Sequence, residues 1–314
     1  MLTVGVDVGG TSVRAGLVDA AGAVLDLRRI ATPAGDQALE DAIVGLVTEL
    51  VTAHRGVRGV GLAVAGFVTP DRRHVEFSPH LSWRCIPVAE RIEHRLGVPV
   101  VLEHDANAAA LAEHRYGVVL GGGIALLVVL GTGIGGALLV DGELYRGAYG
   151  VAPELGHLRV VPEGRPCACG KRGCWERYCS GTGLATTALE LLAVHRGVSG
   201  PLAREAGGDP RRLSGRRVAL AARGGDPIAL LAMAELARWL GEGLALVADV
   251  YDPEVVVLGG GVSESAPLFL DEAREHYAAR VTGSGYRPLA RIRTAQLGPE
   301  AGIVGAALLA RSLA

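Results

Sequence analysis

Three groups of residues carry chemistry. The densest is Cys167-Ala-Cys169-Gly-Lys-Arg-Gly-Cys174-Trp-Glu176, which begins ten residues after the His157 of Glu154-Leu-Gly-His157. Three thiols at this spacing plus one imidazole make a tetrahedral donor set for zinc, and Gly170 and Gly173 permit the tight knuckle between them. The second is Asp105 in Glu103-His104-Asp105-Ala-Asn107, where the strand Pro99-Val-Val-Leu102 gives way to an alanine-rich helix running to about Tyr116. At that place an aspartate serves either as a helix N-cap or as a general base that takes the proton of a hydroxyl attacking phosphorus.

Glycine turns form the third group. Asp7-Val-Gly9-Gly10-Thr11 follows a strand, so bare backbone can approach a phosphate, Thr11 adds a hydroxyl and Asp7 a carboxylate for a magnesium ion. Gly131-Thr132-Gly133-Ile-Gly135-Gly136 repeats the pattern. One such turn is equally what a plain β-turn looks like, but two at matched positions point to a nucleotide clamp. Gly259, Gly260 and Gly261, after Val255-Val-Val-Leu258, read either as a strand-to-helix turn or as bare backbone for a base or ribose.

These groups must be held by two sets of alternating strands and helices. Strand-like runs at 2–8, 12–18, 57–65 and 98–103 enclose a helical stripe of Leu39, Ile43, Leu46, Val47, Leu50 and Val51. A second set starts near 123 and includes strands at 123–130, 137–141 and 255–258, a helix over 226–250 and another from about 265. Gly9 to Asp19 aligns with Gly131 to Asp141 at a constant offset of 122, which predicts duplicated lobes with a ligand cleft between them. Glycine and proline density assigns 197–217 to a loop, and the helical run 301–312 suits either lobe.

Composition narrows the functions. With 49 % hydrophobic and 20 % charged residues the 314-residue chain fills ordinary cores, and an aromatic share of 4 % leaves those cores to Val, Leu, Ile and Ala, as in α/β proteins. A net charge of −2 without charge runs offers no footprint for nucleic acid or an anionic membrane. No apolar run approaches the ~20 residues of a membrane span, and no basic signal-like start precedes the first strand, so a cytoplasmic protein is expected. The single lysine, Lys171, lies in Gly-Lys-Arg-Gly and outside any G-x-x-x-x-G-K-[ST] loop, which excludes a Walker-type site. Five cysteines, three of them clustered, make a poor disulfide framework. The seven histidines besides His104 and His157 show no ligand spacing.

Taken in order, Asp7-Val-Gly-Gly-Thr11, Glu103-His-Asp105-Ala-Asn107, Gly131-Thr-Gly-Ile-Gly-Gly136, Glu154-Leu-Gly-His157, the 167–176 knuckle and Leu258-Gly-Gly-Gly-Val262 resemble the ROK family of sugar kinases across essentially the whole chain. The resemblance implies a two-lobed actin/hexokinase-like (ribonuclease H-like) α/β fold, with a smaller α/β lobe of 1–110 completed by the C-terminal 300–314 and a larger one of 111–299 carrying the zinc loop, and phosphoryl transfer from ATP with Mg2+, most similar to bacterial ATP-dependent glucokinases acting on the 6-hydroxyl of glucose. It implies Asp105 as the base; Gly66, His104, Glu154, His157 and Glu176 at the sugar; Asp7, Gly9, Gly10, Thr11, Gly131, Thr132, Gly133 and the 259–261 turn at the nucleotide; and a structural Zn2+ on His157, Cys167, Cys169 and Cys174. Homodimers or homotetramers are usual for it. The chain departs from the family pattern at His104 and His80, where Asn is common; neutral imidazole offers one donor and one acceptor where an amide offers a donor pair, which leaves the sugar preference open to mannose or N-acylhexosamines such as N-acetylmannosamine and N-acetylglucosamine. A sugar-responsive repressor needs a helix-turn-helix ahead of the first strand, and Asp7 leaves no room for one. A non-catalytic sugar-binding regulator is the other alternative, against which Asp105 speaks.

Overall fold

The β-branched runs near the start of the chain form β1 (Leu2–Val8), β2 (Ser12–Val18), β3 (Val24–Ala31) and β4 (Val57–Val64). A small antiparallel sheet of β5 (Phe67–Val68), β6 (Val75–Phe77) and β7 (Arg84–Ile86) follows, and β8 (Val100–His104) returns to the main sheet. The main sheet has the order β3-β2-β1-β4-β8, with β1, β4 and β8 parallel and β1, β2 and β3 antiparallel. Among the helices α1 (Asp36–Ala53), α2 (Val88–Leu96) and α3 (Asp105–Tyr116), the first two pack on one another. The α1 stripe Leu39, Ile43, Leu46, Val47 and Leu50 is fully buried in one core with Val88, Ala89 and Ile92 of α2 and the valines of β1 and β4. Parallel strands buried this way are near-continuous apolar runs, as Val60 to Val64 shows.

A second five-stranded sheet, in the order β11-β10-β9-β12-β13, is built from β9 (Ile124–Leu130), β10 (Ile134–Val140), β11 (Glu143–Leu144), β12 (Val255–Gly259) and β13 (Arg291–Thr294). The offset of 122 is kept: β1 and β2 map onto β9 and β10 residue for residue. Between β11 and β12 lie α4 (Gly181–Val194), α5 (Pro201–Gly208), α6 (Gly215–Arg223) and α7 (Pro227–Tyr251), and α8 (Leu270–Arg280) precedes β13. The loop predicted at 197–217 is therefore corrected: α5 and the start of α6 occupy its described part, while 197–199 and 209–212 lie outside the described residues. Pro201 stands at the first position of α5, where its missing N–H costs nothing, and the Ser214 hydroxyl caps α6 by accepting the Arg217 N–H at 3.4 Å. The turn-rich letters were helix starts. The helix from 265 also begins later, since the Pro267-containing stretch Ser263–Leu268 is a 3₁₀ turn.

The structure, a computed structural model, describes residues 1–119, 122–195, 200–208 and 213–313. The chain forms two compact units: Met1–Gly123 with Ala137–Pro153 and Ala295–Ala314, and Ile124–Gly136 with Glu154–Thr294. The first keeps α3 whole, where the sequence division at 110 would cut it, because α3 packs along α9 (Ala301–Ala310). The terminal helix thus joins the first unit. A Cβ at Gly5 of β1 would stand 1.8 Å from the Ile303 carbonyl oxygen, and one at Gly61 of β4 1.9 Å from that of Ala306, so the backbone of α9 rests directly on the sheet through glycines.

Candidate active site

In the first unit the register of the parallel strands brings the predicted residues to one edge. Val8 of β1 pairs with Val64 of β4, and Val64 with His104 of β8, so the Asp7 to Thr11 turn, Gly66 and the His104–Asp105 junction all emerge at the carboxyl ends of the same three strands. Ligands of open α/β sheets bind at that edge. A side chain at Gly66 would collide with the Phe77 carbonyl at 2.6 Å, and one at Gly10 with His80 at 2.7 Å, so both glycines mark close approaches. The turn is shaped by the Gly9 N–H donating to the Ser12 carbonyl at 3.1 Å and the Thr32 hydroxyl donating to the Gly9 carbonyl at 2.5 Å.

Asp105 is not the N-cap. His104 holds that position with extended backbone and no side-chain cap bond, and Asp105 is the first residue of α3. Its Oδ1 accepts the Ala106 N–H at 2.7 Å and stands 3.3 Å from His104 Nε2, while Oδ2 has no hydrogen-bond partner among the described residues. The carboxylate is 44 % exposed, so a ligand can reach it. Asp7 lies near enough for the Asp105 charge to act on it: burial pushes the Asp7 carboxyl above its ordinary value, Arg14 opposes this, and Asp105 adds to it. Arg14, opposite Asp7 in the β1–β2 ladder, donates to Asp7 Oδ2 and leaves Oδ1 for another ligand.

Sequence reasoning gave no role to the cluster beneath Asp105. Glu103 is completely buried and accepts from Arg72 Nε at 2.9 Å, Asn107 Nδ2 at 3.0 Å, Arg146 Nε at 3.2 Å and the His104 N–H at 2.9 Å. Arg146 also donates to the carbonyls of Val68, Thr69 and Pro70. The available signal was an acid ending an otherwise apolar strand; its partner Arg146, 43 residues away, had none.

In the second unit, two glycine turns converge at the carboxyl ends of β9 and β12. Leu258 pairs with Val128 and Gly259 with Val129; the left-handed Gly260 is packed so tightly that a Cβ would lie 2.5 Å from the Leu130 carbonyl oxygen. The Gly131 turn closes by its N–H donating to the Gly133 carbonyl at 3.0 Å, and the first turn of α4 donates to it through Gly181 N–H at 2.8 Å and the Thr182 hydroxyl at 2.7 Å. Gly131, Thr132, Gly133 and the 259–261 turn therefore form one neighbourhood, tied on one side to the first turn of α4.

The knuckle lies in the same unit. Donor atoms of His157, Cys167, Cys169 and Cys174 all fall within 4.8 Å of one another, with Cys169 Sγ 3.6 Å from Cys174 Sγ and Cys167 Sγ 3.7 Å from His157 Nδ1. The Cys167–Lys171 turn is closed by the Cys167 N–H at 2.9 Å, and Lys171 Nζ donates to the His157 carbonyl at 2.9 Å. Buried Trp175 anchors the loop, its indole N–H donating to the Trp239 carbonyl of α7 at 2.7 Å. Sulfur and imidazole donors in this arrangement fit zinc and suit neither magnesium nor calcium. All five cysteines are free thiols, and burial is the leading cause that pushes the Cys167 and Cys174 thiols up.

Two carboxylates flank His157. Glu154 Oε2 is 3.8 Å from Nε2 and Glu176 Oε1 3.8 Å from Nδ1, and Glu176 also accepts from Cys167 Sγ at 3.0 Å. A Cβ at Gly133 would stand 2.3 Å from Glu176 Oε2, which joins this group to the Gly131 turn. The predicted residues thus gather as two sets, one in each unit.

A model of the ROK family matches residues 3–312. The glucokinase of Streptomyces coelicolor is 42 % identical over 310 residues, covering 99 % of this chain and 98 % of that protein. Among solved structures, a ROK family glucokinase from Streptomyces griseus in complex with glucose and AMPPNP superposes with a TM-score of 0.88 at 41 % identity, covering 99 % of this chain and 100 % of that one. The ROK hexokinase of Thermus thermophilus gives a TM-score of 0.82 at 34 % identity over 100 % and 99 % of the two chains.

Proposed function

The chain belongs to the ROK family, and from that premise we propose that it is an ATP-dependent glucokinase with Asp105 as its general base. The observation that carries the reading is the half-exposed Asp105 carboxylate, with Oδ2 open, at the sheet edge that also bears the Asp7 to Thr11 turn. Oδ2 takes the proton of the sugar 6-hydroxyl as that oxygen attacks the γ-phosphorus; the new O–P bond forms, the bond from γ-phosphorus to the bridging oxygen breaks, and ADP leaves with its electron pair. Gly66, Glu154, His157 and Glu176 hold the remaining hydroxyls, because a neutral polyol must exchange its water for several firm donors and acceptors.

Gly9, Gly10 and Thr11, with Gly131, Thr132 and Gly133, receive phosphate oxygens through backbone N–H groups and hydroxyls. The 259–261 turn offers backbone to the nucleoside. Asp7 fits magnesium as an oxygen donor through Oδ1, and that ion would neutralise phosphate charge. His157, Cys167, Cys169 and Cys174 would hold a structural zinc ion, which fixes the tautomer of His157 with Glu154 at its other nitrogen.

The test is turnover of a hexose panel, including mannose and N-acylhexosamines, with ATP, other nucleoside triphosphates or polyphosphate. Formation of glucose 6-phosphate with ATP as the best pair supports the reading, and a higher kcat/KM for another sugar or donor replaces it. Loss of turnover in Asp105→Asn without loss of glucose binding supports the base.

A further inference from the structure

Next to the turn that carries Glu176 lies an arginine whose side chain is only 14 % exposed. Arg165 places all five of its guanidinium N–H groups on protein acceptors. Nη1 donates to the Arg177 carbonyl at 2.7 Å and to the Gly183 carbonyl at 3.5 Å. Nη2 donates to the buried Thr187 hydroxyl at 2.9 Å and to Glu190, and Nε donates to Glu190 Oε1 at 3.1 Å. The guanidinium carbon stands 4.7 Å from the centre of the Tyr178 ring, whose hydroxyl accepts the Arg165 backbone N–H at 2.7 Å.

These partners belong to two elements, and Arg165 joins them. Thr187 and Glu190 lie on α4, whereas Arg177 ends the short 3₁₀ turn Trp175–Arg177 in which Glu176 is the middle residue. A turn of three residues has few hydrogen bonds of its own, so its direction depends on what grips it. One grip is the Ser180 hydroxyl, which donates to the Glu176 carbonyl at 2.6 Å; another is Arg165 on the Arg177 carbonyl. The backbone of α4 rests on the same place: a Cβ at Gly183 would stand 2.9 Å from the carbonyl carbon of Tyr178 and 3.1 Å from that of Arg177. Resting on the reading that Glu176 holds a sugar hydroxyl, we propose that Arg165 is the positioning residue of Glu176. Anchored on α4 through Thr187 and Glu190, its guanidinium fixes the Arg177 carbonyl and so sets where the Glu176 carboxylate points. Arg165 meets α4 at Gly183, Thr187 and Glu190, past the Gly181 and Thr182 groups that hold the Gly131 turn, so its effect falls on the sugar and not on the nucleotide.

Arg165→Met is expected to raise the glucose KM about tenfold, with kcat within about threefold and the KM for ATP within about twofold. An ammonium cannot span both elements as the planar fork does, so Arg165→Lys should lose about as much, and it carries the comparison if the Met variant does not fold. In a Glu176→Ala background either substitution should add no more than about twofold to the glucose KM, because the group it aims is gone. Zinc content, by metal analysis, should match that of the unsubstituted enzyme. A second full tenfold rise in the Glu176→Ala background overturns the inference, as do equal losses of glucose and ATP affinity or full glucose affinity in the Lys variant. Zinc lost in step with glucose affinity would put Arg165 on the knuckle and overturn it too, and a lowered denaturation midpoint with the glucose KM unchanged would leave Arg165 a structural residue only. Glu176→Ala alone keeps the two questions apart: if it binds glucose like the unsubstituted enzyme the reading of Glu176 fails, and if it alone loses glucose only the role of Arg165 fails.

Discussion

The Asp105 turn and the cysteine knuckle are both short polar segments next to glycine turns, yet they are held in place by opposite means. Asp105 stands where a strand becomes a helix, over a buried Glu103 tied to two arginines and an asparagine, with α9 lying on the sheet beside it. Everything that fixes it is protein. The knuckle is mostly turns, and its thiols, gathered within 4.8 Å, are weak hydrogen-bonding groups that gain little from one another. Beyond the Arg165, Trp175 and Lys171 contacts, what the loop gathers is a donor set that fits zinc. One site is preorganised by a buried charge cluster and the other presents ligands for a metal.

That contrast can be broken in several ways, and the largest effect is expected at the base. Asp105→Asn should reduce kcat by about 10²–10⁴-fold while glucose and ATP still bind, read by turnover and calorimetry. Arg146→Met comes next: it strips a partner from a fully buried carboxylate, so stability should fall by about 3 kcal/mol in urea unfolding and activity should fall with it. Were it as stable as the unsubstituted protein, the charge cluster would not be what holds the turn.

Removing the metal should act on the other region alone. Cys169→Ser, or chelation that leaves the fold intact, is expected to raise the glucose KM about 10–100-fold with ATP affinity within about twofold, measured by titration calorimetry alongside zinc content. An equal loss of ATP affinity would erase the distinction between the regions.

The smallest effect sharpens the contrast between buried and exposed charge. Asp26 on β3 is held below its ordinary value by the His54 hydrogen bond first and then by Arg28. A depressed acid stabilises the fold above its unfolded value of 3.8 and loses that contribution as pH falls through the lower folded value. Asp26→Asn should therefore lower the denaturation midpoint slightly at pH 7, and the gap should narrow as the pH falls below 3.8. A gap unchanged at low pH would mean that its charge contributes nothing.

Much of this was legible in advance, for reasons visible in particular residues. The Gly9 and Gly131 turns announced themselves because paired glycines interrupt apolar strands at a constant offset, and that offset survives as matching strands. The thiol cluster was legible because metal ligation depends on local spacing. Helices α5 and α6 were hidden because Pro201 and Ser214 are at once turn residues and helix-starting residues, and the letters alone do not say which. Asp105 was open between cap and base, and the structure decides the cap alone, which is His104.

The sequence by itself determined the α/β alternation, the repeated lobes, the knuckle and the family, since these rest on periodicity and spacing within a few residues of each other. Only the tertiary structure decided that α3 stays whole in the first unit against α9, that Glu103 is neutralised by Arg72 and Arg146, and that His104 faces Asp105. The reason is physical: strand register and close packing bring together groups far apart in the chain, and no local pattern encodes which buried charge will meet which.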